Sequence, residues 1–283
     1  MLTALFFLWW FTAGADEVPV IKGYGFANPK VEQKQLIKEL AEVSGLTFTP
    51  DGRLLCHNDE QGIIYEIDYR TGSVQQRFYL GKSSVYHDDL EGIAAKQDTI
   101  FMVNSSGKIL RFVPGKNEER ISFSEFKTPL TARNNVEGLA YDPATDCLLL
   151  ACKDEASLDL ARPLPAGQKA VYAFSLKTYE LLPEPRFLIS ISKITARTGQ
   201  KDFRPSSIER DPRTGNFFVL AAKGKAIVEI DPNGNLLGVS SLPKKVHKKP
   251  EGIAIAPDST VVICNEGGGK SKVGRIVVYP FLD

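Results

Sequence analysis

The chain has 283 residues, of which 43% are hydrophobic, and its 35 basic residues nearly balance its 34 acidic ones. This composition allows a full hydrophobic core and excludes an intrinsically disordered chain. A net charge of +1 gives no reason to expect nucleic acid or an anionic membrane surface as a partner, because such binding needs a concentrated basic face.

The first fifteen residues, MLTALFFLWWFTAGA, are apolar and uncharged and end in Ala13-Gly14-Ala15. Small residues spaced in this way are typical of a signal-peptidase site, so residues 1–15 are predicted to be a signal peptide and the protein to be exported to the periplasm or cell envelope. The run has no Lys or Arg and is shorter than the ~20 residues of a membrane-spanning helix. An uncleaved N-terminal anchor is the alternative, and membrane contact is expected only through that segment.

Five copies of one short motif follow, each with Ser or Glu, then Gly or Ser, then Leu or Ile. They are Val43-Ser44-Gly45-Leu46, Leu90-Glu91-Gly92-Ile93, Val136-Glu137-Gly138-Leu139, Pro205-Ser206-Ser207-Ile208 and Pro250-Glu251-Gly252-Ile253. Counted from the Ser or Glu, the steps are 47, 46, 69 and 45 residues. This regularity indicates five units of one design, with an insertion in the third.

Each unit continues through short apolar segments separated by turns rich in Pro, Asp and Gly, such as Asp211-Pro212-Arg213-Thr214-Gly215. Four short antiparallel strands repeated every ~40 to 50 residues are typical of propeller blades. The predicted fold class is all-β, a single β-propeller over residues 43–283 with four-stranded antiparallel blades. Five blades are favoured, although residues 187–194 are apolar enough to leave a sixth open. Residues 16–42 are expected to close the ring, with residues 31–40 forming an outer strand or a short helix.

The first strand of each blade lines the central channel, so a residue repeated at its start forms a ring around one mouth. Here that ring is Ser44, Glu91, Glu137, Ser206 and Glu251. Packing near the axis explains the glycines but not the carboxylates, which at ~5 Å and an effective dielectric of ~20 repel by roughly 3 kcal/mol per pair. Backbone amides, a raised pKa, or a cation such as Ca²⁺ held by Glu91, Glu137 and Glu251 would offset this repulsion.

Polar residues at the ends of the second strands extend this candidate ligand site. They are Asn58, Asn104, Lys153, Asn265 and Glu266. Loop residues expected on the same face add both charge signs, which favours a small polar or ionic ligand; these are Asp88, Asp89, Arg133, Asn134, Asn135 and Arg204. His57 and His87 fall near the ring and are candidate bases, with an ordinary hydrogen-bonding role as the alternative.

Two further features leave alternatives open. The basic run of Lys244, Lys245, His247, Lys248 and Lys249 is predicted to be a solvated loop, or else a surface contact for an anion. Cys56 and Cys264 occupy matching positions in the first and last repeats, so a bridge between them is the alternative to buried free thiols. The usual hydrolase, P-loop and dinucleotide-binding signatures are absent from the sequence.

The ordered motifs VSGL, DDLEGI, NVEGLAYDP, RPSSIERDP and KPEGIAIAPD, with NEGG and a final IVVYPF, resemble the SdiA-regulated family, which includes YjiK and the calcium-regulated β-propeller (CarP) proteins. The resemblance implies a propeller of the bacterial envelope, linked to calcium responses and without an established reaction. More distantly, the chain is similar to phytase-like esterase and gluconolactonase propellers, which place carboxylates and a divalent metal at the channel mouth.

Two functions therefore compete. The first is a non-enzymatic, monomeric binding protein for Ca²⁺ or another cation, a small polar ligand or an envelope protein at the Glu-lined mouth. The second is a metal-dependent hydrolase of phosphoesters or lactones, in which the same glutamates hold the metal and water is the nucleophile. Blades 1 and 4 have serine in the ring, where the related metal-dependent enzymes would have an acidic residue. This difference favours the first function, the binding protein.

Overall fold

The computed structural model describes residues 18–267 and 273–282. Five β-sheets, each formed mainly by consecutive strands, are arranged so that the innermost strand of each sheet packs against the innermost strands of its two neighbours. The last sheet packs against the first and closes the ring. The chain is thus a five-bladed β-propeller, which confirms the predicted fold class and the favoured blade number.

The chain enters the propeller through a short strand and a single helical turn. Strand β1 (Gln33–Gln35) precedes a 3₁₀ helix, Lys38–Leu40. Blade 1 begins with β2 (Val43–Phe48), β3 (Leu54–Asn58), β4 (Ile63–Asp68) and β5 (Ser73–Leu80). Blade 2 contains β6 (Leu90–Lys96), β7 (Thr99–Asn104), β8 (Ile109–Phe112) and β10 (Ser124–Phe126), and β9 (Arg120–Ile121), between β8 and β10 in the chain, joins the sheet of blade 1.

Blade 3 contains β11 (Val136–Asp142), β12 (Cys147–Cys152), β13 (Gln168–Ser175), β14 (Glu180–Leu181) and β15 (Phe187–Ser190), and the helix α1 (Ile191–Thr198) follows it. Blade 4 contains β16 (Arg204–Arg210), β17 (Phe217–Lys223), β18 (Ala226–Ile230) and β19 (Leu236–Ser241). Blade 5 contains β20 (Pro250–Ile255), β21 (Val261–Asn265) and β22 (Arg275–Tyr279).

Two blades have a fifth strand. In blade 1 the fifth strand is β9, which comes from the part of the chain that forms blade 2. It pairs in parallel with β5, whereas the other strand pairs in the sheet are antiparallel. In blade 3, β14 and β15 both pair with β13. The insertion is therefore an enlargement of blade 3 and not a sixth blade, because the segment 187–194 divides between an edge strand and the start of α1.

The N-terminal segment completes blade 5. Strand β1 pairs antiparallel with β22, Gln33 opposite Val277, so the sheet runs β20-β21-β22-β1. Before it, Ile21, Tyr24 and Phe26 are buried in the hydrophobic cluster shared by blades 4 and 5. None of the helices in the described residues is long and apolar enough to cross a membrane; the predicted signal peptide, residues 1–15, lies outside these residues.

The repeated motif coincides with a break in strand pairing in all five inner strands. The register between the first and second strands shifts at the motif in each blade. Such bulges turn a side chain away from the regular pleat. Neighbouring inner strands also approach closely there, because a Cβ added to Gly92 would lie 2.6 Å from the Leu139 nitrogen, and one on Gly138 would lie 2.8 Å from the Ile208 nitrogen. Glycine is required at these two positions by the packing of blade against blade.

Candidate functional site at the channel mouth

The five ring residues lie at the start of the five inner strands. Ser44, Glu137, Ser206 and Glu251 are buried, and Glu91 is partly buried. The three glutamates influence one another electrostatically, since the charges of Glu137 and Glu251 both act on the Glu91 carboxyl and the charge of Glu137 acts on Glu251. The predicted ring of carboxylates is present in the structure.

Two lysines enter this ring. The Lys153 ammonium group lies 2.6 Å from Glu137 Oε1, and the Lys249 ammonium group lies 3.4 Å from Glu251 Oε1. Lys249 also forms an ion pair with Glu266. Each of the two most buried glutamates therefore has one ammonium group beside one of its oxygens.

The remaining ring contacts run from one blade to the next. The Ser44 hydroxyl of blade 1 lies 3.1 Å from Glu91 Oε2 and 3.2 Å from the Glu91 carbonyl oxygen of blade 2. The Ser206 hydroxyl of blade 4 donates to the Pro250 carbonyl oxygen of blade 5 at 2.9 Å. The serines thus connect adjacent blades, while Glu91 has a hydroxyl, and not a cation, as its side-chain partner.

The ring is incompletely paired. Glu251 Oε2 is inaccessible to solvent and has no hydrogen-bond partner within the described residues. An unpaired buried acceptor costs about 1–3 kcal/mol, and more when it is charged. No group of three or more His, Cys, Asp or Glu side chains in residues 18–267 and 273–282 is placed to hold a metal ion. The predicted Ca²⁺ site at Glu91, Glu137 and Glu251 remains a prediction.

Incomplete pairing changes the protonation of the ring. Burial, together with the charge of Glu137, raises the pKa of Glu91 to about 9. Burial and the same neighbour raise the pKa of Glu251 to about 7, against the opposing effects of Lys249 and Lys153. Burial also raises the pKa of Glu137, and Lys153 opposes the rise. At neutral pH, Glu91 carries a proton, and Glu251 is close to half-protonated.

The predicted second ring divides into two groups. Asn58 and Asn104 bond away from the ring glutamates: Asn58 Nδ2 donates to the Glu39 carbonyl oxygen of the 3₁₀ helix at 3.2 Å, and Asn104 Nδ2 donates to Asp88 at 3.1 Å. Lys153 and Glu266 instead contact the charges at the mouth. Asn265 is buried, and its Nδ2 lies 3.2 Å from His247 Nδ1. Only part of the predicted set therefore meets the ring.

The loop residues are largely paired with one another. Asp88 contacts Lys108 at 2.8 Å, and Arg204 contacts Asp154 at 2.8 Å. Asn135 Nδ2 donates to Asp154 at 3.0 Å. Asn134 is fully buried, and its Nδ2 donates to the Glu155 carbonyl oxygen in the loop after β12, whereas Asp89 and Arg133 are exposed. This face is a rim of ion pairs around the mouth.

The histidines differ in exposure. His57 is fully buried beneath the ring, and burial lowers its pKa to about 4. Its Nδ1 lies 2.7 Å from the Asn58 carbonyl oxygen, so it is a neutral packing residue. His87 is exposed on the rim. Cys56 and Cys264, the alternative bridge, are buried free thiols packed in one cluster between blades 1 and 5.

Sequence reasoning missed the position of Lys249. The run from Lys244 to Lys249 is predicted to be a solvated loop or an anion contact, and its four lysines are all exposed. Lys249, however, contacts two glutamates at the mouth, and His247 is fully buried. A usable signal was present, because Lys249 stands two residues before a ring glutamate and the residues before each motif lie at the mouth.

No protein-family model matches the sequence, and no curated protein matches it. Solved structures do match. Glutaminyl cyclase of Myxococcus xanthus is similar with a TM-score of 0.55 at 12% identity, over 89% of this chain and 96% of that one. Luciferin-regenerating enzyme has a TM-score of 0.53 at 10% identity, over 89% of this chain and 96% of that one. The gluconolactonase of Xanthomonas campestris has a TM-score of 0.53 at 13% identity, over 85% of this chain and 73% of that one. These are β-propeller proteins, and at such identities the likeness shows the fold alone.

Proposed function

We propose that the channel mouth is a binding site for a small cationic ligand, and that an organic molecule with a protonated amino group fits it best. The observation that carries this proposal is the unpaired, buried Glu251 Oε2 beside Glu137 and Glu91. A positively charged N–H donor placed there would satisfy that oxygen and the half-paired Glu91 carboxyl together. Charge-assisted hydrogen bonds of this kind are the strong ones.

The charge around the ring supports the proposal. Lys153, Lys249 and Lys225 interact with the ring glutamates, but carboxyl groups outnumber them, since Asp89 and Glu266 also act on these glutamates, and Glu42 and Glu266 act on Asp59. Burial and the Glu42 charge raise the pKa of Asp59 to about 6, and Asp59 Oδ1 has no partner in the described part of the chain. The mouth therefore has more carboxyl groups than ammonium groups, and the raised pKa values of Glu91, Glu251 and Asp59 accord with this imbalance.

A divalent metal ion fits the residues less well than an ammonium group does. Glu137 and Glu251 already have lysine ammonium groups at 2.6 and 3.4 Å, and these would compete with a metal for the same carboxylates. Ca²⁺ takes roughly 6 to 8 oxygen ligands, whereas an ammonium group needs three acceptors. Calcium is accordingly the competing cation in the test.

The test compares matched ligands by thermal melting and calorimetry at pH 8. Primary amines are expected to raise the melting temperature, whereas alcohols of the same size are not. Glu91→Gln and Glu251→Gln should each remove the effect, and Glu180→Gln, an exposed outer-strand change, should keep it. If Ca²⁺ stabilises the protein and amines do not, the ligand class is wrong; if no cation stabilises it, the site is structural.

One observation at the site favours a second candidate function. A carboxyl with a pKa of about 7, as at Glu251, is suited to general acid or base catalysis near neutral pH. This supports a hydrolase of phosphoesters or lactones, in which the metal predicted for this class would have to displace the lysines. A substrate panel decides it: activity that is lost in Glu251→Gln supports the hydrolase, and a panel without any turnover contradicts it.

The proposal places this binding protein in the bacterial envelope, as a propeller of the SdiA-regulated type. Its support is the apolar leader of residues 1–15 and the ordered repeat motifs. Expression of the full chain followed by cell fractionation tests the location. A processed protein in the periplasmic or membrane fraction is expected, and an unprocessed protein confined to the cytoplasm would contradict it.

A further inference from the structure

A second pocket opens outside the ring, where the loop before β20 meets the ends of β21 and β22. Its volume is about 130 Å³, which is ample for a small ion, since a cavity needs only about 10–15 Å³ to hold a water molecule. The polar residues in its wall are Gln33, Lys245, Lys248, Asn265, Glu266 and Arg275. This pocket draws on blade 5 and its closing strand, whereas the ring draws on all five blades.

The wall carries unbalanced positive charge. Lys245, Lys248 and Arg275 form no ion pair within residues 18–267 and 273–282. The one acidic side chain of the wall, Glu266, is paired with Lys249 on the side that faces the ring. Three cations without a counter-charge, converging on one small cavity, favour an anion.

Asn265 adds a second, independent observation. Only 3% of its surface is exposed, and its Oδ1 has no hydrogen-bond partner among the residues that the structure describes. Burial lowers the pKa of His247 to about 4, so this imidazole is neutral. Its Nδ1 can accept from Asn265 Nδ2 at 3.2 Å while its Nε2 contacts the Tyr279 hydroxyl at 2.7 Å. With His247 in the Nε2–H tautomer, its Nδ1 accepts from the Asn265 amide nitrogen, and the amide oxygen is left for a donor.

We infer that this pocket binds a phosphate group that still carries one hydroxyl. The lysines and Arg275 would contact the charged oxygens, and the hydroxyl would donate to Asn265 Oδ1. Inorganic phosphate carries this hydroxyl at pH 7, whereas a phosphate monoester, with a second pKa of about 6, carries it only below that pH. Sulfate has the same shape and charge but no hydroxyl at neutral pH, so it would leave Asn265 Oδ1 unpaired. The site is independent of the function proposed for the ring.

The experiment titrates the full chain by calorimetry with inorganic phosphate and sulfate at pH 7, and with phenyl phosphate at pH 5, where the ester carries its hydroxyl. Phosphate is expected to bind about tenfold or more tightly than sulfate, because an unsatisfied buried acceptor is costly. Lys245→Gln and Lys248→Gln together should weaken phosphate binding about tenfold or more, since charge-assisted hydrogen bonds are lost. Lys244→Gln changes an exposed lysine of the same loop outside the pocket and should have no effect.

The outcomes separate specific binding from general attraction. Tight binding of inorganic phosphate alone or of both phosphates supports the site, and the difference between them identifies the source. The proposal is overturned if sulfate binds as tightly as phosphate or if phosphate does not bind. It is also overturned if Lys244→Gln weakens phosphate binding as much as Lys245→Gln does. Glu91→Gln should leave phosphate binding unchanged, so failure of the ring proposal and failure of this one are distinguishable.

Discussion

The Lys153 ammonium group lies 2.6 Å from Glu137 Oε1 and forms the shortest ion pair at a ring glutamate in the described residues. Glu137 is 5% exposed, whereas the Lys153 side chain is 26% exposed and reaches the ring from the end of β12. Burial acts to lower the pKa of Lys153, but the charge of Glu137 raises it overall. Blade 3 thus supplies both members of this pair, and Glu91 of blade 2 has no equivalent cation.

Removal of this lysine tests its contribution to stability. Lys153→Met should lower the free energy of unfolding by about 2 kcal/mol at pH 8, because a buried carboxylate is left without its cation. Urea titration measures the change. Glu137→Gln combined with Lys153→Met should recover most of the loss, so the double-mutant cycle should show coupling. Additive losses in the cycle would show that the pair is not coupled.

The glycine of the second motif should be intolerant of any side chain. Gly92→Ala is expected to destabilise the protein by about 2 kcal/mol or more, because its Cβ would overlap the backbone of blade 3. Gly25→Ala is the control, because a Cβ added at Gly25 would lie 3.9 Å from the nearest atom outside its chain neighbours. Its change in stability is expected to be near zero. Equal melting temperatures for the two variants would contradict the packing explanation of the motif.

Stability should fall as the pH rises from about 5 to 9. The folded-state pKa values of Glu91, about 9, and Glu251, about 7, exceed the ordinary value of 4.5, so the folded state holds more protons in this range. The linkage relation then gives a negative slope of stability against pH. Glu91→Gln should flatten the slope above pH 7, as measured by urea unfolding at pH 5, 7 and 9. A wild-type slope of zero or a positive slope would rule this out.

The segment before β1 should contribute to the core. Phe26 is 1% exposed and stacks on Tyr24, so Phe26→Ala should cost about 3–5 kcal/mol. Val20→Ala, at a position with 48% exposure, should change stability by less than about 0.5 kcal/mol. Thermal melting of both variants measures the difference. A loss below about 1 kcal/mol for Phe26→Ala would show that the segment is dispensable.

The fold could be predicted because the repeat is expressed in local chemistry. Gly92 and Gly138 are required by close backbone approach, and turn residues such as Pro212 mark the ends of strands. The glycine recurs in four of the five motifs, with Ser207 in the other. The extra strands could not be predicted in the same way. β9 pairs with β5 across a separation of about forty residues, and a two-residue strand has no periodicity of its own.

The candidate site was only partly predictable. The ring glutamates stand out because packing does not require them, but their partners depend on side chains that reach across the mouth. The position of Lys153 after a strand indicated its role, whereas Lys249 stands in a run of exposed lysines and is itself half-exposed. Asn58 and Asn104 lie, like Lys153, at the end of a second strand, yet their short amides bond to the 3₁₀ helix, to Asp88 and to the loop after β7.

The proposed function depends most on the ring carboxylates lacking sufficient positive charge until a cationic ligand binds. The most direct measurement follows the carboxyl carbons of ¹³C-labelled glutamate by NMR from pH 5 to 10, with Glu91→Gln to assign the signal. Glu91 should titrate near the value of about 9 in the free protein, and at lower pH once an amine ligand is added. A Glu91 signal that titrates near the ordinary value of 4.5, with or without ligand, would contradict the account.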